Sequence, residues 1–344
     1  MEILSIANLK RAATGGRVEA VIHGQVEGTS RKETRDQKPY MEVVLADAEA
    51  KITLRAWSDS PAFSSCEQLA RGDFLEVTGE FVHNGTFGTD ARRWTCRLLD
   101  DEARATLLAG PAELREKQKT DYEWIVCTVE SLGDPRLRLL GVTFLKDWGE
   151  RFRRTAAARN YHHARRGGLV EHTAQMMRSA DAVAQVYPQL NRDLLIAGVL
   201  FHDCGKLWEN VLPENGFSMP YTETGELLGH IPVGIELVNA LWRKLDLTPW
   251  AGLDPASESV RLHLLHLIAA HHGEKQFGSP VDPKTPEAFA LHHIDNLDAK
   301  MEMLSAGYES AAQLAPGIFE RVRPLPGNIV LPLAKFAGPL NPEK

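Results

Sequence analysis

The stretch Leu194–Lys206, LLIAGVLFHDCGK, decides the reading of the chain. From Leu194 to Phe201 no side chain is polar, which marks a buried segment, and then His202 and Asp203 stand side by side. Two polar groups at the end of a buried run are costly unless something pairs with them. A shared cation would relieve that cost. Matching ligand types occur at helical spacing in two further stretches, His172 in GGLVEHT (167–173) and Asp295 in HHIDNLDAK (292–300). Three separate helices could therefore aim nitrogen and oxygen atoms at one point. Imidazoles with carboxylates and no thiolate suit Mn²⁺, Mg²⁺, Fe²⁺ or catalytic Zn²⁺ rather than a structural zinc.

The order His172, then His202-Asp203 with Gly205 and Lys206 directly after, then Asp295, resembles the HD-domain metal-dependent phosphohydrolases. NYHHARRGGLVEHT (160–173), LLGHIPVG (227–234), LIAAHHG (267–273) and IDNLDAK (294–300) bring the chain closer to one subfamily. Together they resemble the YhaM-type 3′-to-5′ exoribonucleases, over most of residues 110–310. The resemblance implies hydrolysis of single-stranded RNA to mononucleotides, with single-stranded DNA as a further substrate, and it alone implies the 3′-to-5′ direction. It implies one or two divalent ions, Mn²⁺ first among them. His230, His271 and His272 would hold the second ion, with Asp203 as the bridging carboxylate. The alternative for these histidines is hydrogen-bonded support of the ligands or direct donation to phosphate.

Lys206 falls close to one helical turn after Asp203, where its ammonium would neutralise phosphate charge; the competing role is a surface pair with Glu209. His162, His163, Arg165 and Arg166 form a cationic cluster ahead of Gly167-Gly168. Guanidinium forks suit phosphate and glycines admit close backbone approach, so this stretch is assigned to substrate. Cys204 reads as a small core residue and not a nucleophile. Neither a G-x-x-x-x-G-K-[ST] loop nor a G-x-S-x-G motif occurs, which leaves metal-activated water without a rival chemistry.

Ahead of this half, residues 17–99 alternate at period two in five runs: VEAVIHGQVEG, YMEVVLAD, KITLRAW, DFLEVTGEFV and RRWTCRLL. With a helical insert at PAFSSCEQLA between the third and fourth runs, the pattern predicts an OB-type Greek-key barrel. Arg31, Lys32, Tyr40, Arg55 and Trp57 are its candidate single-strand contacts, through stacking and phosphate pairing. Tyr40 and Trp57 would serve equally well as barrel filling. Where similar modules often carry Asp-x-x-Gly, this chain has Asp47-Ala48-Glu49-Ala50.

The expected architecture is thus multi-domain: an all-β OB barrel in 1–100, a connection in 101–120, an all-α HD domain in 121–315 and an irregular Pro-rich tail in 316–344. Helices are expected at about 223–246, 257–272 and 285–308, with a loop or hairpin between Trp208 and Tyr221 lying over the site. A chain of 344 residues, 43% hydrophobic and 25% charged, holds two ordinary cores. Its formal charge of −7 rules against coating nucleic acid by bulk attraction, so a polyanion must be met locally. Cys66, Cys96, Cys127 and Cys204 form no C-x-x-C pair, the first residues lack a signal-peptide pattern, and no run nears the ~20 apolar residues of a membrane span. These features suit a cytoplasmic protein with no membrane partner, and nothing argues against a homo-oligomer. Two rival uses of the same parts are a nucleotide or cyclic-nucleotide phosphohydrolase and a non-catalytic single-strand-binding protein.

Overall fold

The computed structural model describes residues 3–84, 88–158, 163–211, 216–217 and 219–335. The chain opens with β1 (Ile3–Leu4) and α1 (Ile6–Thr14), followed by β2 (Val18–Glu33), β3 (Pro39–Ala46) and β4 (Lys51–Trp57). The short helix α2 (Phe63–Cys66) then precedes β5 (Phe74–Asn84) and β6 (Gly88–Leu98). The strands run β4-β3-β2-β5-β6, antiparallel throughout, with β1 added parallel to β2. Asp90 and Trp94 of β6 close the path onto β4. Asp90 Oδ2 pairs with the Arg55 guanidinium at 3.0 Å, and Trp94 Nε1 donates to the Arg55 carbonyl at 2.9 Å. This closed 3-2-1-4-5 order of the five main strands is the OB barrel that the alternation predicted.

Period two explains the barrel's filling. Met41, Val43 and Leu45 of β3 and Ile52, Leu54 and Ala56 of β4 point inwards, so Tyr40, Glu42, Arg55 and Trp57 face out. Buried Ile6 and Leu9 of α1 plug the barrel. Asp47 makes the β3–β4 turn without the glycine. Its Oδ1 accepts from the amides of Glu49 and Ala50, both at 2.8 Å, while Oδ2 accepts from Ile6 N at 2.6 Å. One carboxylate therefore sets the turn and anchors α1.

The segment read as a connection is helical: α3 (Asp101–Ala109) is followed by α4 (Ala112–Glu130), whose second half enters the helical core. Then come α5 (Pro135–Phe152), α6 (Gly168–Val186), α7 (Arg192–Phe201), α8 (Lys206–Glu209), α9 (Glu223–Leu228), α10 (His230–Lys244), α11 (Ser257–Ala270) and α12 (Pro286–Ser310). Asn191 caps α7 as its position suggests, accepting from Leu194 N at 3.0 Å, and Leu194–Phe201 is buried throughout. Among the described residues no helix is long and apolar enough to cross a membrane.

One expectation needs correction. The region after α12 is not wholly irregular: β7 (Gln313–Ala315), β8 (Ile318–Phe319) and β9 (Ile329–Val330) form a small antiparallel sheet. Leu325 and Ile329 there pack against Met303 of α12, which supplies the apolar partner a Pro-rich stretch lacks on its own. The excursion after Trp208 is pinned at its base by the Asn210–Tyr221 bridge, and its Phe217 packs on Ala46 and Phe74 of the barrel. Its described apolar contact is the seam between domains; residues 212–215 and 218 lie outside the described residues.

Candidate metal centre

His172 projects from the first turns of α6, His202 from the C-terminal cap of α7, Asp203 from the turn that follows, and Asp295 from mid-α12. His172 and His202 are fully buried, and Asp203 is 3% exposed. His172 Nε2 lies 3.3 Å from His202 Nε2, 3.3 Å from Asp295 Oδ1 and 3.9 Å from Asp203 Oδ2; His202 Nε2 is 3.3 Å from that same oxygen. Ligands about 2.1 Å from one ion stand about 3 Å apart when adjacent. The four side chains are close to that spacing.

A second group adjoins the first. His230 at the start of α10 and His271 and His272 after α11 place one ligand atom each within 4.8 Å of the others. Asp203 joins the groups: Oδ2 faces His172 and His202, while Oδ1 lies 3.3 Å from His230 Nε2 and 3.7 Å from His271 Nε2. Asp203 Oδ1, His230 Nε2 and His271 Nε2 are buried and have no hydrogen-bond partner among the described residues. Buried polar atoms this close that do not bond one another fit a cation between them.

The tautomers agree. Nδ1 of His202 donates to the Val199 carbonyl, that of His271 to Ile268 and that of His272 to Phe277, each at 2.8 Å. Nδ1 of His172 meets Asp298 Oδ2 at 2.7 Å, and Nδ1 of His230 meets Glu209 Oε1 at 3.1 Å. With Nδ1 engaged in every ring, Nε2 is left for the site. Asp298 and Glu209 are the residues that sequence reasoning missed. Asp298 is one helical turn after Asp295 and Glu209 follows Lys206 by three, a spacing that could have revealed both.

Charge is distributed to favour a cation. Burial opposes ionisation of Asp203, yet Lys206, His202 and His230 hold its carboxyl well below the usual range. Burial likewise opposes charge on His172, but Asp295 and Asp298 outweigh it and lift its pKa to about 9. Positive charge at His172 Nε2 is therefore stabilised, whether proton or metal. Burial, with His272 and His202 beside it, pushes His271 well below the ordinary imidazole range, into the neutral ligand form.

Lys206 is buried. Its Nζ donates to Asp203 Oδ2 at 2.6 Å and to the Ala157 carbonyl, so its hydrogen-bond partner is Asp203 and not Glu209. Gly205 is required beside it: a Cβ there would sit 1.9 Å from the His230 carbonyl. The basic stretch is placed differently from its assignment to phosphate. Arg165 lies between Glu171, at 2.7 Å, and Glu302, at 2.8 Å, and these carboxylates occupy its fork. His163 is buried against Asp298 at 3.0 Å. Arg166 donates to the Gly216 carbonyl, and His162 lies outside the described residues. Gly168 approaches protein backbone, since a Cβ would stand 2.0 Å from the His163 carbonyl.

On the barrel, Tyr40 and Trp57 are cross-strand neighbours with ring centroids 4.9 Å apart, and Trp57 is 43% exposed, so neither fills the barrel. Beside them Lys32 pairs with Glu42, Arg55 with Asp90 and Glu42, and Arg31 with Glu67. These five residues stand on β2, β3 and β4, away from the metal ligands in sequence.

Known proteins are similar to this chain over most of its length. The family model for the HD domain matches residues 169–300. The chain is 30% identical over 296 residues to the 3′-5′ exoribonuclease YhaM of Oceanobacillus iheyensis, covering 86% of this chain and 87% of that protein. It is 32% identical over 287 residues to the YhaM of a Geobacillus strain, covering 83% of each. Among solved structures, a replication factor A related protein from Methanobacterium thermoautotrophicum is similar at 20% identity and a TM-score of 0.23, over 29% of this chain and 92% of its own. Fold and site together define an HD-domain protein with an OB barrel ahead of its helices. Within that class the chain belongs to the YhaM exoribonuclease family.

Proposed function

We propose that this chain is a metal-dependent 3′-to-5′ exoribonuclease that hydrolyses single-stranded RNA to mononucleotides in the cytoplasm, with single-stranded DNA as a second substrate. The observation that carries the reading is the convergence of His172, His202, Asp203 and Asp295, in a chain matched across both domains by exoribonucleases. Mn²⁺ is the proposed ion, ahead of Mg²⁺, Fe²⁺ and Zn²⁺, and two ions are favoured over one because the two oxygens of Asp203 face separate histidine groups. Bound there, a divalent ion supplies an activated water and neutralises charge developing on phosphorus.

The chain's own residues do the rest. Lys206 keeps Asp203 ionised and fixes its rotamer, while Asp298 and Glu209 orient His172 and His230. The outward pair Tyr40 and Trp57 offers a stacking platform for bases, with Lys32, Arg31 and Arg55 beside it for phosphates. The proposed division puts the barrel in 1–100 and the catalytic domain in 121–315, joined by a helical connection.

End-labelled RNA tests the reading. With Mn²⁺, 5′-labelled RNA is expected to shorten stepwise from its 3′ end, and a chelator stops the reaction. Asp203→Ala lowers kcat by roughly 10³-fold or more while single-strand affinity stays within about threefold. Intact RNA beside rapid turnover of a nucleotide or cyclic nucleotide would reject the exonuclease. So would strand binding without cleavage at any metal concentration.

A further inference from the structure

Between the barrel and the helical domain lies a cavity of about 280 Å³, walled by Glu27, Lys51 and Arg71 on one side and by Arg165, Asn210 and Phe217 on the other. Its two sides are held in register. Phe217 N donates to Gln25 Oε1 at 2.7 Å, and the Phe217 ring sits in the apolar seam with Ala46 and Phe74. The cavity is thus preformed and not a gap between loosely tethered parts.

Its walls hold two buried acceptors without a hydrogen-bond partner among the described residues. One is Asn210 Oδ1, on a residue only 3% exposed, and the other is Glu27 Oε1. The second oxygen of Glu27 pairs with Lys51 Nζ at 2.8 Å, which neutralises the carboxylate and leaves Oε1 able to accept. Buried acceptors of this kind are uncommon in folded proteins and call for a donor. The same wall segments reach the metal centre. Asn210 directly follows Glu209, which holds His230, and Ala157, between the cavity-lining Ala156 and Ala158, gives its carbonyl to Lys206.

We propose that this cavity is a nucleotide subsite for the RNA strand undergoing cleavage, and that it takes one base carrying an exocyclic amine. The inference rests on the ribonuclease reading above. Adenine, cytosine or guanine brings amine N–H groups to Asn210 Oδ1 and Glu27 Oε1, while the adjoining phosphates face Lys51 and Arg71. The volume suits one nucleotide and excludes a duplex. Uracil carries carbonyl oxygens where adenine and cytosine carry an amine and offers only its N3–H as a donor on that edge, so it meets at most one of the two buried oxygens and sets a carbonyl against the other.

Steady-state cleavage of oligo(A), oligo(C) and oligo(U) of equal length tests the subsite, with bis(p-nitrophenyl) phosphate, a diester that carries no base, as the control substrate. The wild-type KM for oligo(U) is expected to exceed the other two roughly tenfold. Asn210→Leu raises KM for oligo(A) and oligo(C) by about the same factor, leaving oligo(U) and the small diester within about twofold. Glu27→Gln, a milder change that supplies an amide N–H for a uracil carbonyl, shrinks the preference at least about threefold. Equal KM values across the three homopolymers, or an unchanged preference in Glu27→Gln, would overturn the subsite alone. A wild-type protein that shortens none of them would overturn the ribonuclease reading and the subsite with it.

Discussion

The metal centre and the outer face of the barrel handle charge in opposite ways. Around Asp203 the ligands are buried or half-buried, every imidazole is held through its second nitrogen, and some polar atoms have no bond among the described residues. On the barrel face Arg31, Lys32 and Arg55 all sit in ion pairs, Arg31 and Lys32 open to water and Arg55 half-buried, beside a Trp57 that is 43% exposed. A buried, oriented set serves chemistry, which needs fixed geometry and low dielectric. A solvated face serves capture, which tolerates sequence variation and exchanges one ion pair for another at little cost.

That contrast can be broken by experiment. Its largest expected signal comes from Asp298, which touches no substrate but positions His172. Asp298→Ala weakens Mn²⁺ affinity about 10- to 100-fold, read as a shifted metal dependence of rate with kcat restored at saturating metal. A rate that excess Mn²⁺ cannot restore would show that Asp298 acts otherwise. Smaller is the effect on the barrel: Trp57→Ala lowers affinity for a single-stranded oligonucleotide roughly tenfold and leaves the rate at saturating RNA unchanged. An unaltered affinity would place the strand on another face.

The smallest expected effect lies outside both regions, at the N-terminus of α5. Burial opposes the charge of Asp134, but its pairing with buried Arg136 at 2.7 Å lowers its pKa below the ordinary aspartate value. The depressed carboxyl therefore contributes stability above about pH 4 that is lost as pH falls through its folded value. On acidification from about pH 5 to pH 3 the melting temperature of wild type should fall further than that of Asp134→Asn. Parallel curves would remove this pair from the acid sensitivity of the fold.

How much was legible follows from the same contrast. His202 and Asp203 stood out because they end a run with no other polar side chain, and barrel strands showed through strict alternation. Asp298 and Glu209 did not, because a carboxylate on a helix is ordinarily solvated, and their spacing from Asp295 and Lys206 points to the right helix face without naming the imidazole that folding brings to it. Arg165 misled for the converse reason. Glu171, six residues on, and Glu302, over a hundred residues away, become its partners only in the folded chain. The β7–β9 sheet was equally hidden, since its strands are two or three residues long and depend on α12 for cover.

His202 and His271 both cap the C-terminal ends of their helices, α7 and α11. Each helix therefore points the partly negative end of its backbone dipole towards the space the imidazoles enclose. Those two helix ends favour a cation beside His202 and His271, whereas α10, which begins at His230, turns its N–H end to the same space. Carbonyl ends on one side and an N–H end on the other give the centre a built-in polarity, with positive charge best supported where α7 and α11 stop.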